Sequence, residues 1–380
     1  MREVNVIGVG LTPFGKFPEK TLGEIGWPAV RQAVIEAEID PKSIGAVYCG
    51  TGLGGMLAGQ RVMKHLGITG MPIVNVENAC SSSSSALRQG WMAVASGCHD
   101  IVVVLGVEKL TKFGGGTLPL EAEDWEVMQG MIMPALYAMR AQRYMHEYGL
   151  TIEQLSDVSV KAHNHGALNP HAQIRKRVTR EEVMNSRPVA DPFTLWHCCP
   201  TGDGAAAVVL ADAATARRLG SRKPVRVAAS EVTSGIYTNG FRELTWAELT
   251  ARGAKHAYEM AGIGPEDIDV AEIHDAFTIA ELMYYEAFGF CERGTGYQLL
   301  SSGRTSLGGD IVVNPSGGLL SRGHPIGATG VAQAVEIVWQ LRGDAGEHQV
   351  EGAKVGLTHA TGGGVAGYDH GACSIHVFTR

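Results

Sequence analysis

"AVIEAEIDPKSIGAVYCG" occupies residues 33–50, and "AYEMAGIGPEDIDVAEIH" occupies residues 257–274. The two stretches align without a gap. Ile39, Pro41 and Ile44 fall on Ile263, Pro265 and Ile268. Each reads as the end of an amphipathic helix, a turn marked by proline, and then a strand. Helix–turn–strand units are common, so one match decides little by itself. The flanks decide more. Strand-like "VNVIGVG" precedes the first copy and "VRVAAS" (225–230) precedes the second. After the copies, the first half runs "IVNVE", Cys80, a helix and "DIVVVLGVE" (100–108). The second half runs "DIVVNPSGG" (310–318), His324, "ATGVAQAVEIVWQLRG" and "AKVGLTHATGGG" (353–364). A repeated order of elements marks an internal duplication.

Strands alternating with helices predict a mostly parallel sheet flanked by helices. The Val- and Ile-rich strands suit burial on both faces. The reading is therefore α/β, with an N-terminal half over 1–215 and a C-terminal half over 216–380. A long insertion, about 110–195, interrupts the first half, which resumes at "TGDGAAAVVLAD" (201–212). With 380 residues, 45% hydrophobic and 19% charged, the chain can bury a large core. A formal net charge of −7 argues against a general nucleic-acid binder. No apolar run is long enough for a membrane span, and "MREVNVIGVG" has no signal-peptide core. The cysteines number seven, with no CxxC spacing, so neither a disulfide framework nor a metal site is expected. A reducing cytoplasmic setting is. "GVGLTPFG" lacks the GxGxxG spacing of a dinucleotide loop.

Four stretches carry chemistry, each where a strand ends. In "NACSSSSSALRQG" (78–90), Cys80 stands ahead of a helix whose free N–H groups and dipole would lower a thiol pKa. The plainer reading is a buried structural cysteine. In "SRGHPIGATG" (321–330), His324 is fixed between Gly323 and Pro325. In "EIHDAFTIAELM" (272–283), His274 and Asp275 end a strand, where Asp275 could simply cap the next helix. In "THATGGG" (358–364), His359 precedes Gly362, Gly363 and Gly364, whose N–H groups could face an oxyanion. Cys80 and His324 hold comparable places in the two halves. A pseudo-twofold packing would bring them together as nucleophile and base.

These motifs resemble the thiolase superfamily, and within it the sterol-carrier-protein-type and archaeal-type thiolases (acetyl-CoA acetyltransferase-like). The resemblance spans essentially the whole chain. It rests on "NACSSS", "HDAF", "NPSGG", "GHPIGATG" and "HATGGG". It implies the thiolase fold: two duplicated βαβαβαββ halves in a five-layer αβαβα sandwich with an inserted loop domain. It also implies cleavage of a 3-oxoacyl-CoA by coenzyme A, or the reverse Claisen condensation, through an acyl-Cys80 intermediate. His324 would activate Cys80, and His274 would hold the thioester oxygen. Backbone N–H groups of Cys80 and of Gly362, Gly363 or Gly364 would form the oxyanion hole. Arg175, Lys176, Phe277, Ser316 and Gly317 would bind substrate. A bulky or aromatic acyl group is allowed by the small residues after Cys80, and Phe113, Trp125, Met128, Met131, Met133 and Tyr137 are pocket candidates.

One departure stands out. Thiolases carry a second cysteine in CxG or HDCF, whereas this chain has Ala276 at the HDCF position and His359-Ala360-Thr361 near the other. His359 is expected to replace it in proton transfer, with the vicinal Cys198–Cys199 the weaker substitute. The resemblance further implies a homodimer or dimer of dimers, and a small OB-fold, zinc-containing partner subunit. No bound cofactor beyond coenzyme A as co-substrate is implied. Two alternatives stay open: a ketoacyl synthase-like condensing enzyme or acyltransferase, and a subunit of reduced activity working in a complex.

Overall fold

The two repeated stretches fold alike. The computed structural model describes residues 1–380 except 68–69, 121–124, 222, 237–242 and 365–369. Its strands are β1 (Val4–Leu11), β2 (Ala46–Gly50), β3 (Ile73–Val76), β4 (Ile101–Lys109), β5 (Pro188–Ala190), β6 (Phe193–Thr194), β7 (Asp203–Asp212), β8 (Val225–Ser234), β9 (Val270–Glu272), β10 (Val312–Val313), β11 (Val355–Gly364) and β12 (His370–Thr379). The helices that matter for the site are α1 (Leu22–Glu36), α2 (Ser82–Ala95), α3 (Met133–Tyr148), α4 (Ile152–Gly166), α5 (Glu248–Ala261), α6 (Thr278–Ala287), α7 (Gly318–Arg322) and α8 (Ile326–Arg342). Residues 33–50 supply the end of α1, a 3-10 turn at Pro41–Ser43 and β2. Residues 257–274 supply the end of α5, a 3-10 turn at Pro265–Asp267 and β9. Thr21 starts α1 with a reciprocal capping box to Glu24.

Ten strands join in the order β10-β9-β11-β12-β8-β1-β7-β4-β2-β3. Outward from the central β8–β1 pair, the two halves mirror each other. β1, β7 and β4 pair antiparallel, and β4, β2 and β3 pair parallel. β8, β12 and β11 pair antiparallel, and β11, β9 and β10 pair parallel. The expectation of a mostly parallel sheet is corrected: five of its pairings are antiparallel and four parallel. The cause lies in the connections: β7 and β12 do not follow a crossover helix, so nothing forces them parallel.

Helices α2 and α8 form the middle layer. Leu87 and Val94 of α2 share one core with Val331 and Val335 of α8, Val102 and Val104 of β4, and Val270 of β9. Outside the first half, Ile25, Val30 and Val34 of α1 pack on Val47, Val103 and Val209. Outside the second, α5 and α6 cover Leu357, Ile375 and Val377. The insertion joins this last core, through Tyr137, Tyr144, Leu155 and Val158. A segment that interrupts the first half in sequence therefore packs against the second in space. At the α2–α8 crossing, Ser81–Ser84 are fully buried. A Cβ on Gly330 would lie 2.6 Å from the Ser84 nitrogen. Small residues let the two helices come this close, which sets their N-termini side by side.

Candidate active site

Cys80 sits in a short 3-10 turn, Ala79–Ser81, just ahead of α2. Ala79 takes a left-handed φ of 47°, sparsely populated for a residue with a Cβ. β11 holds this turn from the other side. A Cβ on Gly362 would lie 2.0 Å from the Asn78 carbonyl oxygen, so only glycine permits the approach. The neighbouring Gly363 N–H reaches the Cys80 sulfur. The helix-terminus expectation of a lowered thiol pKa is corrected. Burial dominates and pushes the Cys80 thiol up to about 12, against the downward pull of the Gly363 N–H.

His324 precedes α8, and His274 follows β9. Their ring centroids are 5.0 Å apart, edge to face. The Cys80 sulfur and one nitrogen from each imidazole all lie within 4.8 Å of one another. His324 Nδ1 is 2.8 Å from Thr329 Oγ1, which itself donates to the Pro325 carbonyl at 3.1 Å. The hydroxyl proton is thus spent on Pro325, and Thr329 must accept from Nδ1–H. That fixes the neutral tautomer with its lone pair on Nε2. Nε2 is buried without a protein partner, as is Nδ1 of His274. Burial first, then His274 and Arg322, holds His324 well below the ordinary histidine range. Burial brings His274 to about 3. Both are neutral imidazoles at pH 7.

These groups line a cavity of about 720 Å³. Its walls include Tyr137, Phe277, Trp196, Met133 and Leu118, with Cys198 and Cys199 beside Ala276. Tyr137 and Phe277 stack at 4.4 Å. Of the six sequence candidates for an acyl pocket, Met133 and Tyr137 line the cavity, whereas Trp125 and Met128 are exposed. Phe277 lines the cavity too.

Several predicted binding residues stand elsewhere. Ser316 is fully buried, and its hydroxyl donates to Glu272 at 2.7 Å. Gly317 lets α4 approach, since its Cβ would lie 2.6 Å from the Gly166 Cα. Both brace the loop behind the site and do not line the cavity. Arg175 is exposed outside the cavity, and Lys176 pairs with Glu182 at 2.8 Å. The basic residues that line the cavity are Lys16 and Arg187, which sequence reasoning missed because neither lies in a basic cluster. Gly364 ends β11, paired with His370.

His359 is corrected most plainly. Its Nδ1 accepts from the His274 backbone N–H at 3.4 Å, and its Nε2 lies 3.0 Å from Thr250 Oγ1. Its ring packs edge-on against Tyr284 and Phe288. Its alternation along β11 turns it toward α5 and α6, away from the cavity. It braces the backbone of His274. Asp275 caps α7 through the Leu319 N–H at 2.6 Å, while the adjacent His274 turns into the cavity. The expected cap on the next helix is corrected: α6 starts after Phe277 with no side-chain cap, and Asp275 serves α7 instead.

Three buried supports were not foreseen. Glu108, at the end of β4, accepts from Gly52, Leu53 and Gly327 N–H at 2.8, 3.0 and 3.1 Å. It ties the start of α8 to the half that carries Cys80. Asn314, at φ 55°, accepts from Ile273 N–H at 2.8 Å and so positions the strand end before His274. Lys161 locks this region by a buried ion pair with Glu281 at 2.6 Å. The sequence signals were a charged residue closing an apolar strand and a lysine opening "KAHNHGALNPHAQ".

A thiol and a neutral imidazole with its lone pair free, at the meeting point of two symmetry-related helices, form the framework of a thiol-dependent acyltransferase. The comparisons with known proteins agree. The thiolase N-terminal domain matches residues 4–214, and the thiolase C-terminal domain-like family matches residues 231–370. An acetyl-CoA acetyltransferase of Methanothermobacter thermautotrophicus is 45% identical over 100% of both chains. The benzoylsuccinyl-CoA thiolase subunit BbsB of Thauera aromatica is 44% identical over 96% of this chain and 95% of its own. Among solved structures, the Ltp2-ChsH2(DUF35) aldolase superposes with a TM-score of 0.85 at 26% identity, covering 100% of this chain and 98% of that one. Human mitochondrial 3-ketoacyl-CoA thiolase shares the fold at a TM-score of 0.76 and 16% identity, over 100% and 99% of the chains. The chain belongs to the thiolase family, and it is an acyltransferase of that family with thiolase activity.

Proposed function

We propose that the chain cleaves a 3-oxoacyl-CoA with coenzyme A, or condenses in reverse, through an acyl group carried on Cys80. The observation behind this is the convergence of the Cys80 sulfur with His274 and His324 nitrogens within 4.8 Å in one cavity. Cys80 attacks the 3-carbonyl as its proton passes to His324 Nε2. The oxyanion faces the N–H groups of Cys80 and Gly363. His274 receives the thioester oxygen of the departing enolate. Lys16 and Arg187 offer positive charge to the phosphates of coenzyme A.

The aromatic walls support a bulky or aryl-bearing acyl group. The relative named benzoylsuccinyl-CoA thiolase subunit supports the same reading, and its name also makes it part of a larger enzyme. With the DUF35-containing aldolase as a structural neighbour, this supports a small OB-fold, zinc-containing partner subunit. Homodimerisation, alone or as a dimer of dimers, is supported by β3, which closes one end of the sheet with Val74 44% exposed. The two functional halves divide near 215/216. No helix among the described residues is long and apolar enough to cross a membrane, and all seven cysteines are free thiols. Both features fit a reducing cytoplasmic setting.

The test is a panel of 3-oxoacyl-CoA esters, with and without candidate partner proteins, followed by peptide mass spectrometry. An acyl adduct on the Cys80 peptide, absent in Cys80→Ser and discharged by free coenzyme A, is expected. A wild-type enzyme that turns over with no adduct on Cys80 would refute the covalent route. Acyl release that ignores free coenzyme A would favour the condensing-enzyme alternative.

A further inference from the structure

Carbon–carbon cleavage leaves an electron pair on the α-carbon of the departing acyl-CoA, and some group must supply a proton there. His324 has just taken the Cys80 proton, and His274 is neutral and spent on the thioester oxygen. His359 faces α5 and α6. The cavity wall supplies a candidate acid on a different element. Cys199 lines it together with Cys80, His274 and His324. Its backbone N–H donates to the Ala276 carbonyl at 2.9 Å, and Cys198 forms a bridge with Phe277. The segment Cys198–Thr201 is thereby laid along the strand end that follows His274. A thiol from a different element thus stands beside Ala276. Its partner in sequence is otherwise engaged: the Cys198 S–H is directed at the Thr194 carbonyl, 3.7 Å away. Two more buried groups point to a ligand between them. His324 Nε2 and His274 Nδ1 have no protein partner, and their residues are 5% and 3% exposed.

We propose that Cys199 delivers the proton to the α-carbon during cleavage and takes one from the incoming coenzyme A thiol during acyl transfer. The proposal rests on the acyl-Cys80 reading above. The steps balance. The Cys80 proton moves to His324 as the Sγ–C3 bond forms. The C2–C3 bond breaks, its electron pair goes to C2, and the Cys199 S–H proton follows. The Cys199 thiolate then removes the S–H proton of coenzyme A, whose sulfur attacks the acyl carbonyl. The Cys80 sulfur departs and recovers its proton from His324. No oxidant, reductant or further reactant is needed. Burial first, then the Cys198 and Cys80 sulfurs and Asp275, holds the Cys199 thiol well above its ordinary range. A thiol so placed rests protonated and ready to donate.

The test separates α-carbon chemistry from acylation, using the full-length chain. The first readout is deuterium exchange into the methyl group of acetyl-CoA in D2O. The second is acylation of Cys80 by an aryl thioester, whose thiolate leaves without a proton. Cys199→Ala is expected to slow exchange at least about 100-fold, the lower range for a proton-transfer group. Its acylation rate should stay within about threefold of wild type. Cys199→Ser keeps the volume but is too weak an acid, and is expected to lose exchange equally. Exchange retained within threefold in both variants would overturn the assignment. So would exchange lost in Cys198→Ala instead, or exchange and acylation falling together in Cys199→Ser. Absence of exchange in the wild-type enzyme would also overturn it. A failure of the acyl-Cys80 reading shows separately, as no adduct on Cys80 in the unmodified enzyme.

Discussion

Thr329 has one proton to give, and the Pro325 carbonyl takes it. Everything His324 does follows from that small fact. If Thr329 becomes Val, the Nδ1–H loses its acceptor and the ring can adopt the other tautomer, with Nε2 protonated and useless as a base. Thr329→Val is expected to lower kcat by at least about tenfold with KM little changed. His324→Ala should cost the roughly 10²–10⁴-fold of a lost general base. Steady-state kinetics on the two variants checks both. A Thr329→Val enzyme with wild-type kcat would mean the tautomer is set elsewhere. The ionisation of Cys80 is testable too. Its thiol is pushed up to about 12 and the imidazole beside it is held low, so the resting pair is neutral thiol and neutral imidazole. The rate of Cys80 alkylation by iodoacetamide should therefore climb steadily from pH 6 to pH 10. A plateau near neutrality would reveal a thiolate–imidazolium pair and refute this reading.

Helices α2 and α8 act as one part. Their N-termini carry nucleophile and base, and their closeness depends on residues with almost no side chain. At Gly330 the obstacle is the Ser84 backbone nitrogen at 2.6 Å, which cannot swing aside as a side chain would. Gly330→Ala must therefore spread the crossing. It is expected to cost about 1–3 kcal/mol of stability, the usual range for overpacking, and to lower kcat by separating Cys80 from His324. Urea denaturation and kinetics on one preparation measure both. A fully stable and active Gly330→Ala would show that the crossing has slack. This part was readable in advance, because the duplication and the paired motifs are local patterns of residue type and spacing. Cys80, His274, His324 and Gly363 could be found from such patterns. The direction of His359 could not, because it depends on which face of β11 meets α5 and α6. Lys16, Arg187 and Glu108 reach the site or its supports through the fold, from places with no local signal. Cys199 was visible as half of a vicinal pair, but its nearness to Ala276 is a contact between residues 77 positions apart in number. Ser316 and Gly317 share a motif with the site and serve the loop behind it.

A chain with so many buried polar groups titrates as a whole. Burial lowers the folded-state pKa of His165 to about 3, His197 to about 4, His274 to about 3 and His376 to about 3, and takes His324 well below its ordinary range. In the unfolded chain these imidazoles titrate near 6.5. Below that pH the unfolded state takes up protons that the folded state refuses, so stability is full above 6.5 and is lost on acidification. Four buried carboxyls, Glu108, Glu272, Asp275 and Glu286, act the other way. Burial lifts Asp275 to about 8 and Glu272 to about 7, so each is held protonated near neutrality in the folded chain and ionised in the unfolded one. Their contribution to stability grows as the pH falls toward 4. His163 and His171 are lowered as well, and His348, despite its burial, is raised by Glu336. Seven lowered imidazoles thus outweigh four carboxyls and His348, and each proton of imbalance is worth about 1.4 kcal/mol per pH unit. The melting temperature is expected to drop by at least about 5 °C between pH 7 and pH 5, with net proton uptake on unfolding. Melts in paired buffers of different ionisation enthalpy measure both quantities. His324→Asn should reduce the proton uptake by up to one. A melting temperature that held steady or rose on acidification would mean that the buried imidazoles carry charge in the folded chain, and the neutral Cys80–His324 pair would fall with them.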